Sequence, residues 1–147
     1  MIMMILKEEK RNLFEVDNKY YLAHCISEDC AMGAGIAVDF NKRFRLQNRV
    51  KNIISEHYNT VGEIPKCVLV DKVYNLITKQ KYWHKPTYES LTQSLLCMKD
   101  MIEFNKTKYL AMPKIGCGLD KLQWSKVREI ICDVFKDVDI EILVCYL

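Results

Sequence analysis

The stretch AHCISEDCAMGAGIAVDF, residues 23–40, decides the fold. Residues 19–26 are aromatic and apolar and run directly into polar turn residues, which predicts a buried strand. Beyond the turn, Ile36, Phe40 and Phe44 are spaced by four, which predicts a helix. The stretch therefore joins a strand to a helix through a loop rich in small residues.

Two glycines of this loop, Gly33 and Gly35, are compatible with either an anion-binding loop or a simple turn. They allow backbone amides to approach an anion at the start of the helix, where the helix dipole favours phosphate. A dinucleotide motif would need a third glycine where Val38 stands, and no Gly-Lys-Ser/Thr of a Walker A loop follows. Taken alone, the glycines are best explained by a tight turn between strand and helix.

Composition places the chain among ordinary globular domains. Its 147 residues are 50% hydrophobic and 28% charged, which predicts one domain over residues 1–147 with one sizeable core. A net charge of +3 is compatible with an anionic ligand but does not demand nucleic acid. No apolar stretch has the length of a membrane span, so we expect no membrane partner.

The cysteines and the first residues indicate the compartment. Seven cysteines without a CxxC pair, and three histidines without zinc-ligand spacing, predict free thiols and no metal site. We therefore expect a reducing, intracellular location. The start, MIMMILKEEK, is too short for a signal peptide. We expect a first strand at residues 2–6, followed by a charged, irregular piece at residues 7–18.

The rest of the chain alternates strand and helix patterns. Residues 67–71 and 73–79 are short strand candidates that form a hairpin or one bent strand, and residues 109–113 and 140–147 are further strands. Val50, Ile53, Ile54 and Tyr58 continue the apolar face of the first helix after a break near Arg45, and residues 60–65 are predicted to form a loop. Two later helices are predicted by their apolar stripes: Leu91, Leu95, Met98 and Ile102 after the start signal Thr87, and Val127, Ile130, Ile131 and Val134 within residues 124–137.

Alternating strands and helices predict an α/β fold with a sheet covered on both faces. Loops that follow the carboxyl ends of parallel strands then gather along one edge. A second glycine loop, MPKIGCGLDKL at residues 112–122, should lie there with the first. A turn explains Gly116 and Gly118 taken alone, and a helix start explains Asp120, but two such loops on one edge together fit a diphosphate.

A third loop, within NLITKQKYWHKPTYE at residues 75–89, carries a candidate nucleophile. Lys79 ends a strand, with Lys81, His84 and Lys85 close by. Neighbouring cations and partial removal from water both favour the neutral, nucleophilic form of a lysine. A solvated basic loop is the better explanation of Lys81 and Lys85, whereas for Lys79 both explanations stay open.

Other candidates are weaker. His24 and His84 flank a buried strand and a proline turn, where histidines are more often structural than catalytic. Trp83 and Trp124 are expected to cover edges of the core. Cys25, Cys30 and Cys117 lie near the loops and are candidate nucleophiles. We rank them low, because no thiol is paired with a histidine base.

Four segments together resemble one family: LAHCISEDCAMGAGIAVDF (22–40), LITK (76–79), HKPTYESL (84–91) and MPKIGCGLDKLQW (112–124). They are similar to the macrodomains of the terminal ADP-ribose protein glycohydrolases, also described as O-acetyl-ADP-ribose deacetylases. The likeness runs from about residue 12 to the last residue. It implies a macrodomain fold, with a mixed, largely parallel sheet between helices and ADP-ribose bound along the loop edge.

The resemblance also implies the site. Lys79 and Asp120 match the two residues that carry the family's reaction, and no cofactor or metal is expected. Arg11 and Asn12 stand where the family has Gly-Asp, whose aspartate reads adenine, so a weaker adenine contact is expected. The implied contacts to ADP-ribose are Asn12, Leu13, Ser27, Met32, Gly33, Gly35, Ile36, Ala37, Thr78, Pro113, Ile115, Gly116, Cys117, Gly118 and Leu119.

The implied activity is removal of mono-ADP-ribose from glutamate and aspartate side chains of proteins, with deacylation of O-acyl-ADP-ribose. The partners would be ADP-ribose and ADP-ribosylated proteins, and the protein would be a monomer. Two alternatives stay open. One is a non-catalytic reader of ADP-ribose, in which Lys79 only contacts phosphate. The other is a hydrolase that acts on ADP-ribosylated nucleic-acid bases.

Overall fold

The chain alternates strands with helices, as its sequence pattern predicts. A computed structural model describes residues 3–147. Within that range it contains six strands and four α-helices. In chain order they are β1 (Ile5–Lys10), β2 (Tyr21–Ser27), α1 (Ile36–Phe44), α2 (Leu46–Val61), β3 (Cys67–Val70), β4 (Val73–Lys79), α3 (Tyr88–Asn105), β5 (Tyr109–Met112), α4 (Trp124–Phe135) and β6 (Glu141–Tyr146).

The strands form one mixed sheet in the order β1-β6-β5-β2-β4-β3. Neighbouring strands are parallel except β3 and β4, which form an antiparallel hairpin, one of the two arrangements expected for residues 67–79. Because β5, β2 and β4 are adjacent and parallel, their carboxyl ends meet at one edge of the sheet. Three loops follow these ends: loop 1 (residues 28–35), loop 2 (80–87) and loop 3 (113–123).

Helices cover both faces of the sheet, so the described residues form two cores, one on each face, where chain length alone predicted one. On one face, α1 and α2 bury Phe40, Leu46 and Val50 completely. On the other face lie α3 and α4, whose predicted apolar stripes are buried except for the half-buried Ile130. None of the helices within residues 3–147 is long and apolar enough to cross a bilayer.

Two helix boundaries follow the local sequence. Arg45 lies in the left-handed region at φ 54° and separates α1 from α2, at the predicted break. Thr87 caps α3: its Oγ1 accepts from the Ser90 amide at 2.9 Å, and Ser90 Oγ accepts from the Thr87 amide at 3.0 Å. This reciprocal pair satisfies amides that have no partner inside the helix, so α3 begins directly after loop 2.

The prediction for the first strand was wrong in its bounds. Ile2 lies outside the described residues, and the strand runs over Ile5–Lys10, through residues expected to be irregular. β1 is an edge strand that pairs only with β6, so its charged side chains stay in water or find partners on the surface. Glu8 accepts hydrogen bonds from Trp124 Nε1 at 2.8 Å and from Arg128 Nε at 2.9 Å.

Candidate functional site

Loops 1, 2 and 3 enclose a cleft of about 910 Å³ at the carboxyl edge of the sheet. This volume suits a ligand the size of a dinucleotide or a large drug. Its walls come from the ends of β2 and β4 and from all three loops. The residues that line it include Cys25, Ser27, Met32, Gly33, Gly35, Ile36, Ala37, Lys79, Tyr82, Lys85, Pro113, Lys114, Ile115, Gly116, Gly118, Leu119, Asp120 and Lys121.

Loop 1 holds an unusual backbone. Gly35 is the N-terminal cap of α1 with φ 62° and ψ −152°, a conformation that favours glycine. Cys30 and Met32 also have positive φ, at 54° and 45°, which is strained for residues with a side chain. Gln47 of α2 supports them, because its Nε2 donates to the carbonyls of Cys30 and Ala31 at 2.9 and 3.2 Å.

Asp29 joins loop 1 to loop 2. Its carboxylate accepts from the Tyr82 amide at 3.0 Å, from the Ala31 amide at 3.2 Å and from the Ser27 hydroxyl. Burial raises the pKa of Asp29, but these hydrogen bonds and the charge of Lys81 outweigh it, so the pKa lies below its ordinary value. The carboxylate is therefore a fixed negative charge at the base of loop 2.

Loop 3 depends on Gly116. Its φ is 72°, and a Cβ at this position would lie 2.9 Å from Leu122 Cδ1. Leu122 also closes the turn, since its amide donates to the Gly116 carbonyl at 2.8 Å. Any other residue would add both backbone strain and a steric clash, which explains the glycine predicted here as a turn residue.

The central pair of the cleft is Lys79 and Asp120. Lys79 Nζ donates to Asp120 Oδ1 at 2.7 Å, and the two side chains are only 14% and 16% exposed. Lys79 is the last residue of β4, and Asp120 lies in loop 3, 41 residues later. An amine and a carboxylate at this distance can exchange a proton, and their exposed faces open into the cleft.

Two further contacts fix the rim. Lys85 Nζ donates to the Leu119 carbonyl at 2.7 Å, which ties loop 2 to loop 3. The exposed Leu119 side chain reaches towards loop 1, so that a Cβ added to Gly35 would lie 3.4 Å from Leu119 Cδ1. Loops 1 and 3 therefore approach each other over the cleft, and Leu119 marks the point where they meet.

The thiols near the cleft are poor nucleophiles, in agreement with their low ranking from sequence. Burial raises the pKa of Cys25 to about 12 and that of Cys30 to about 11, and it also raises the pKa of Cys117. A thiol is reactive as the thiolate, so these groups are held in the unreactive form. Among residues 3–147, no cluster of three or more His, Cys, Asp or Glu side chains has the arrangement of a metal site.

The structure brings most of the predicted ligand contacts together. Those that do not line the cleft are Asn12, Leu13, Thr78 and Cys117. Leu13 and Thr78 are buried, and Thr78 lies next to Lys79 on β4. Asn12 Oδ1 accepts from the Phe14 amide at 2.9 Å, so the oxygen expected to read adenine already caps a short helical turn.

Sequence reasoning missed several residues that build the site. Tyr82, Lys114 and Lys121 line the cleft, as does Lys85, which had been assigned to a solvated loop. Gln47 was missed because it lies on a surface helix, and only the packing of α2 under loop 1 reveals its role. The expectation that Trp83 covers a core edge was wrong, since its side chain is 62% exposed. Trp124 does pack against the core.

Comparison with known proteins places the chain in a family. It is 46% identical over 136 residues to ADP-ribose glycohydrolase OARD1 of Homo sapiens, covering 92% of this chain and 87% of that protein. The chain belongs to the OARD1 family of ADP-ribose glycohydrolases. The Bos taurus OARD1 is similar to the same extent. No protein-family model matches the chain.

This chain, a relative of OARD1, has the macrodomain fold. The macrodomain of Thermus aquaticus DarG superposes with a TM-score of 0.80 at 20% identity, over 98% of this chain and 99% of that one. The macrodomain of Mycobacterium tuberculosis DarG gives a TM-score of 0.81 at 18% identity, over 97% and 98%. The predicted macrodomain with a mixed, largely parallel sheet between helices is confirmed.

Proposed function

We propose that this protein binds ADP-ribose in the cleft and hydrolyses its linkage to glutamate and aspartate side chains of proteins. The observation that carries the proposal is the Lys79–Asp120 pair, 2.7 Å apart and largely shielded from water, between two glycine loops. Family membership supports the hydrolysis, because the relatives are named ADP-ribose glycohydrolase. We expect the same pair to act on O-acyl-ADP-ribose.

The binding half of the proposal rests on the loops. Loop 1 leads into α1, whose first amides and dipole favour a phosphate. Loop 3 supplies further amides around Gly116 and Gly118 from the opposite wall, and Lys114 and Lys121 add positive charge. A diphosphate between these walls would leave the distal ribose beside Lys79.

In the first step, Asp120 accepts a proton from the Lys79 ammonium group. The lone pair of the freed amine attacks the anomeric carbon of the distal ribose. The bond from that carbon to the acyl oxygen breaks, and its electron pair leaves with the carboxyl group, which takes the proton from Asp120. The products are a free acidic side chain and a covalent lysyl–ADP-ribose adduct.

In the second step, a proton moves from the adduct nitrogen to the ring oxygen, and the opened sugar forms a Schiff base with Lys79. Asp120, again a carboxylate, orients a water molecule towards the same carbon. Water adds, the carbon–nitrogen bond breaks, and ADP-ribose leaves as Lys79 regains its ammonium form. The reaction as written uses only Lys79, Asp120 and water.

A reader without catalysis uses the same loops, so the test must separate binding from turnover. Release of ADP-ribose from a glutamate-linked mono-ADP-ribosyl peptide is measured for the wild type and for Lys79→Ala. Calorimetry with free ADP-ribose accompanies both. We expect the wild type to release ADP-ribose, and Lys79→Ala to lose at least about a thousandfold in rate while it still binds the ligand.

The other outcomes have separate meanings. Binding by the wild type without release would select the reader. Equal release by both proteins would remove Lys79 from the mechanism. Release only from an ADP-ribosylated oligonucleotide, assayed alongside the peptide, would move the substrate from protein to nucleic acid.

A further inference from the structure

Loop 2 carries a pair of exposed aromatic side chains that the proposed reaction does not use. Tyr82 and Trp83 are 63% and 62% exposed, and their ring centroids lie 5.0 Å apart at an interplanar angle of 88°. The His84 ring continues the cluster, with its centroid 5.5 Å from that of Trp83. Removal of large aromatic side chains from water is favourable, so such a cluster favours contact with a partner.

The backbone that presents this pair is anchored on both sides. Before Trp83, the Tyr82 amide donates to Asp29 of loop 1 at 3.0 Å. After it, Lys85 Nζ donates to the Leu119 carbonyl of loop 3 at 2.7 Å, and Pro86 is buried. The backbone on both sides of the pair is therefore fixed to the neighbouring loops, so that mainly the two side chains remain to be ordered on binding.

The position of the pair relates it to one part of the substrate. Tyr82 lines the same cleft as Lys79 and Asp120, whereas Trp83 lies outside the lining and extends the surface outward. ADP-ribose occupies the cleft in the proposed reaction, and the bond that breaks lies at Lys79. Loop 2 follows Lys79 directly in the chain, and Tyr82 lines the cleft three residues later, so loop 2 offers a neighbouring surface to a chain attached at that bond.

We propose that Tyr82 and Trp83 form an acceptor subsite, which holds an apolar side chain of the polypeptide next to its ADP-ribosylated acidic residue. This inference rests on the proposed hydrolysis of protein-linked ADP-ribose. The pair makes the enzyme selective for the sequence around the modified residue. Trp and Tyr are the residue types that most often dominate the binding energy of protein interfaces.

Local charge favours a polypeptide over a nucleic acid at this subsite. Binding of a nucleic acid draws its affinity from cations that neutralise phosphates. Here Lys79 is paired with Asp120, Lys85 is bonded to a carbonyl, and Lys81 lies near the ionised Asp29. Glu28 adds a further acidic residue next to Asp29. These three lysines are thus accompanied by three acidic residues, Glu28, Asp29 and Asp120, so loop 2 and these neighbours have no surplus of positive charge of the kind that holds a phosphate backbone.

The test compares substrates that differ only in the acceptor. Two glutamate-linked mono-ADP-ribosyl peptides carry either leucine or glycine on both sides of the modified residue. O-acetyl-ADP-ribose serves as a substrate without an acceptor chain, and an ADP-ribosylated oligonucleotide is the fourth. The proteins are the wild type, Trp83→Ala, Trp83→Phe and the matched control Phe104→Ala, which removes an aromatic ring 87% exposed on α3.

We expect the wild type to prefer the leucine peptide by about tenfold in kcat/KM, mainly through KM. Trp83→Ala should remove that preference and leave O-acetyl-ADP-ribose turnover unchanged, while Trp83→Phe should restore most of it. Phe104→Ala should behave as the wild type. Equal losses on all four substrates, or an undiminished leucine preference in Trp83→Ala, would overturn the subsite.

Two further results also decide the question. A loss confined to the oligonucleotide would overturn the polypeptide assignment in favour of nucleic acid. If the wild type releases no ADP-ribose from any substrate, the proposed hydrolysis itself fails, and the acceptor subsite that rests on it is withdrawn. An active wild type with an unaffected Trp83→Ala refutes only the subsite.

Discussion

Replacing His24 by glutamine is expected to make the fold more resistant to mild acid. His24 lies on β2 below the cleft, has no exposed surface and stacks on Phe40 with ring centroids 3.9 Å apart. Its Nε2 is 2.6 Å from Asn75 Oδ1. The Asn75 amide donates to the Val68 and Val73 carbonyls, so its oxygen faces the histidine and must accept. The proton therefore lies on Nε2, and Nδ1 has no partner among the described residues.

The magnitude follows from the pKa of His24. Burial lowers this pKa from 6.5 to about 4, because protonation of Nδ1 would place an uncompensated charge in the core. Between pH 6.5 and 4 the unfolded chain binds a proton that the folded chain does not, so the free energy of unfolding falls as the pH falls. The loss is about 2 kcal/mol by pH 5 and about 3 kcal/mol below pH 4.

Urea unfolding at several pH values between 7.5 and 4 measures this slope. Glutamine can still donate to Asn75 Oδ1 but does not titrate, so His24→Gln should lose about 2 kcal/mol less than the wild type between pH 7.5 and 5. Asp29, Glu8 and Glu141 also have lowered pKa values, but their contributions cancel in the difference between the two proteins. The same pH slope in both proteins would refute the reasoning.

Two further predictions concern loop 1. Gly35→Ala adds a Cβ at φ 62° and close to Leu119, so ADP-ribose affinity should fall about tenfold by calorimetry. Gly62→Ala also adds a Cβ at positive φ, in the left-handed region at φ 85° and ψ 9° and outside the cleft, so it should lower stability alone; equal affinity losses in both would contradict this. Gln47→Leu removes two hydrogen bonds to loop 1 carbonyls, so affinity should fall about fivefold, whereas an unchanged dissociation constant would show that Gln47 does not hold the loop.

Much of the fold could be predicted from sequence because its signals are local. The spacing of Leu91, Leu95, Met98 and Ile102 fixes the buried side of α3, and Thr87 fixes its start. The first strand was misplaced because its charged residues read as a loop. Edge strands carry such residues, and only the pairing of β1 with β6 reveals the strand.

In the site, too, local features could be predicted from sequence, whereas features that depend on packing could not. Glycine spacing and strand ends predicted three loops on one edge, but the 2.7 Å contact between Lys79 and Asp120 depends on the sheet order, which brings β5, β2 and β4 together. The support of loop 1 by Gln47 depends on how α2 packs. Trp83 was expected at a core edge because it is apolar, yet its side chain is exposed. Apolar character alone does not distinguish a core side chain from one on a binding surface.

The central claim is that Lys79 becomes covalently attached to ADP-ribose and that Asp120 resolves the adduct. Intact-mass spectrometry of Asp120→Ala, mixed with a glutamate-linked mono-ADP-ribosyl peptide, tests it most directly. We expect the variant to form slowly a protein species heavier by one ADP-ribosyl group, because water must replace Asp120 as the base of the first step, and to retain it because the second step lacks the carboxylate. This species should map to Lys79 by peptide analysis and be absent when Lys79→Ala is added to the variant. Peptide hydrolysis by Asp120→Ala at the wild-type rate, or an adduct mapped to any other residue, would contradict the account.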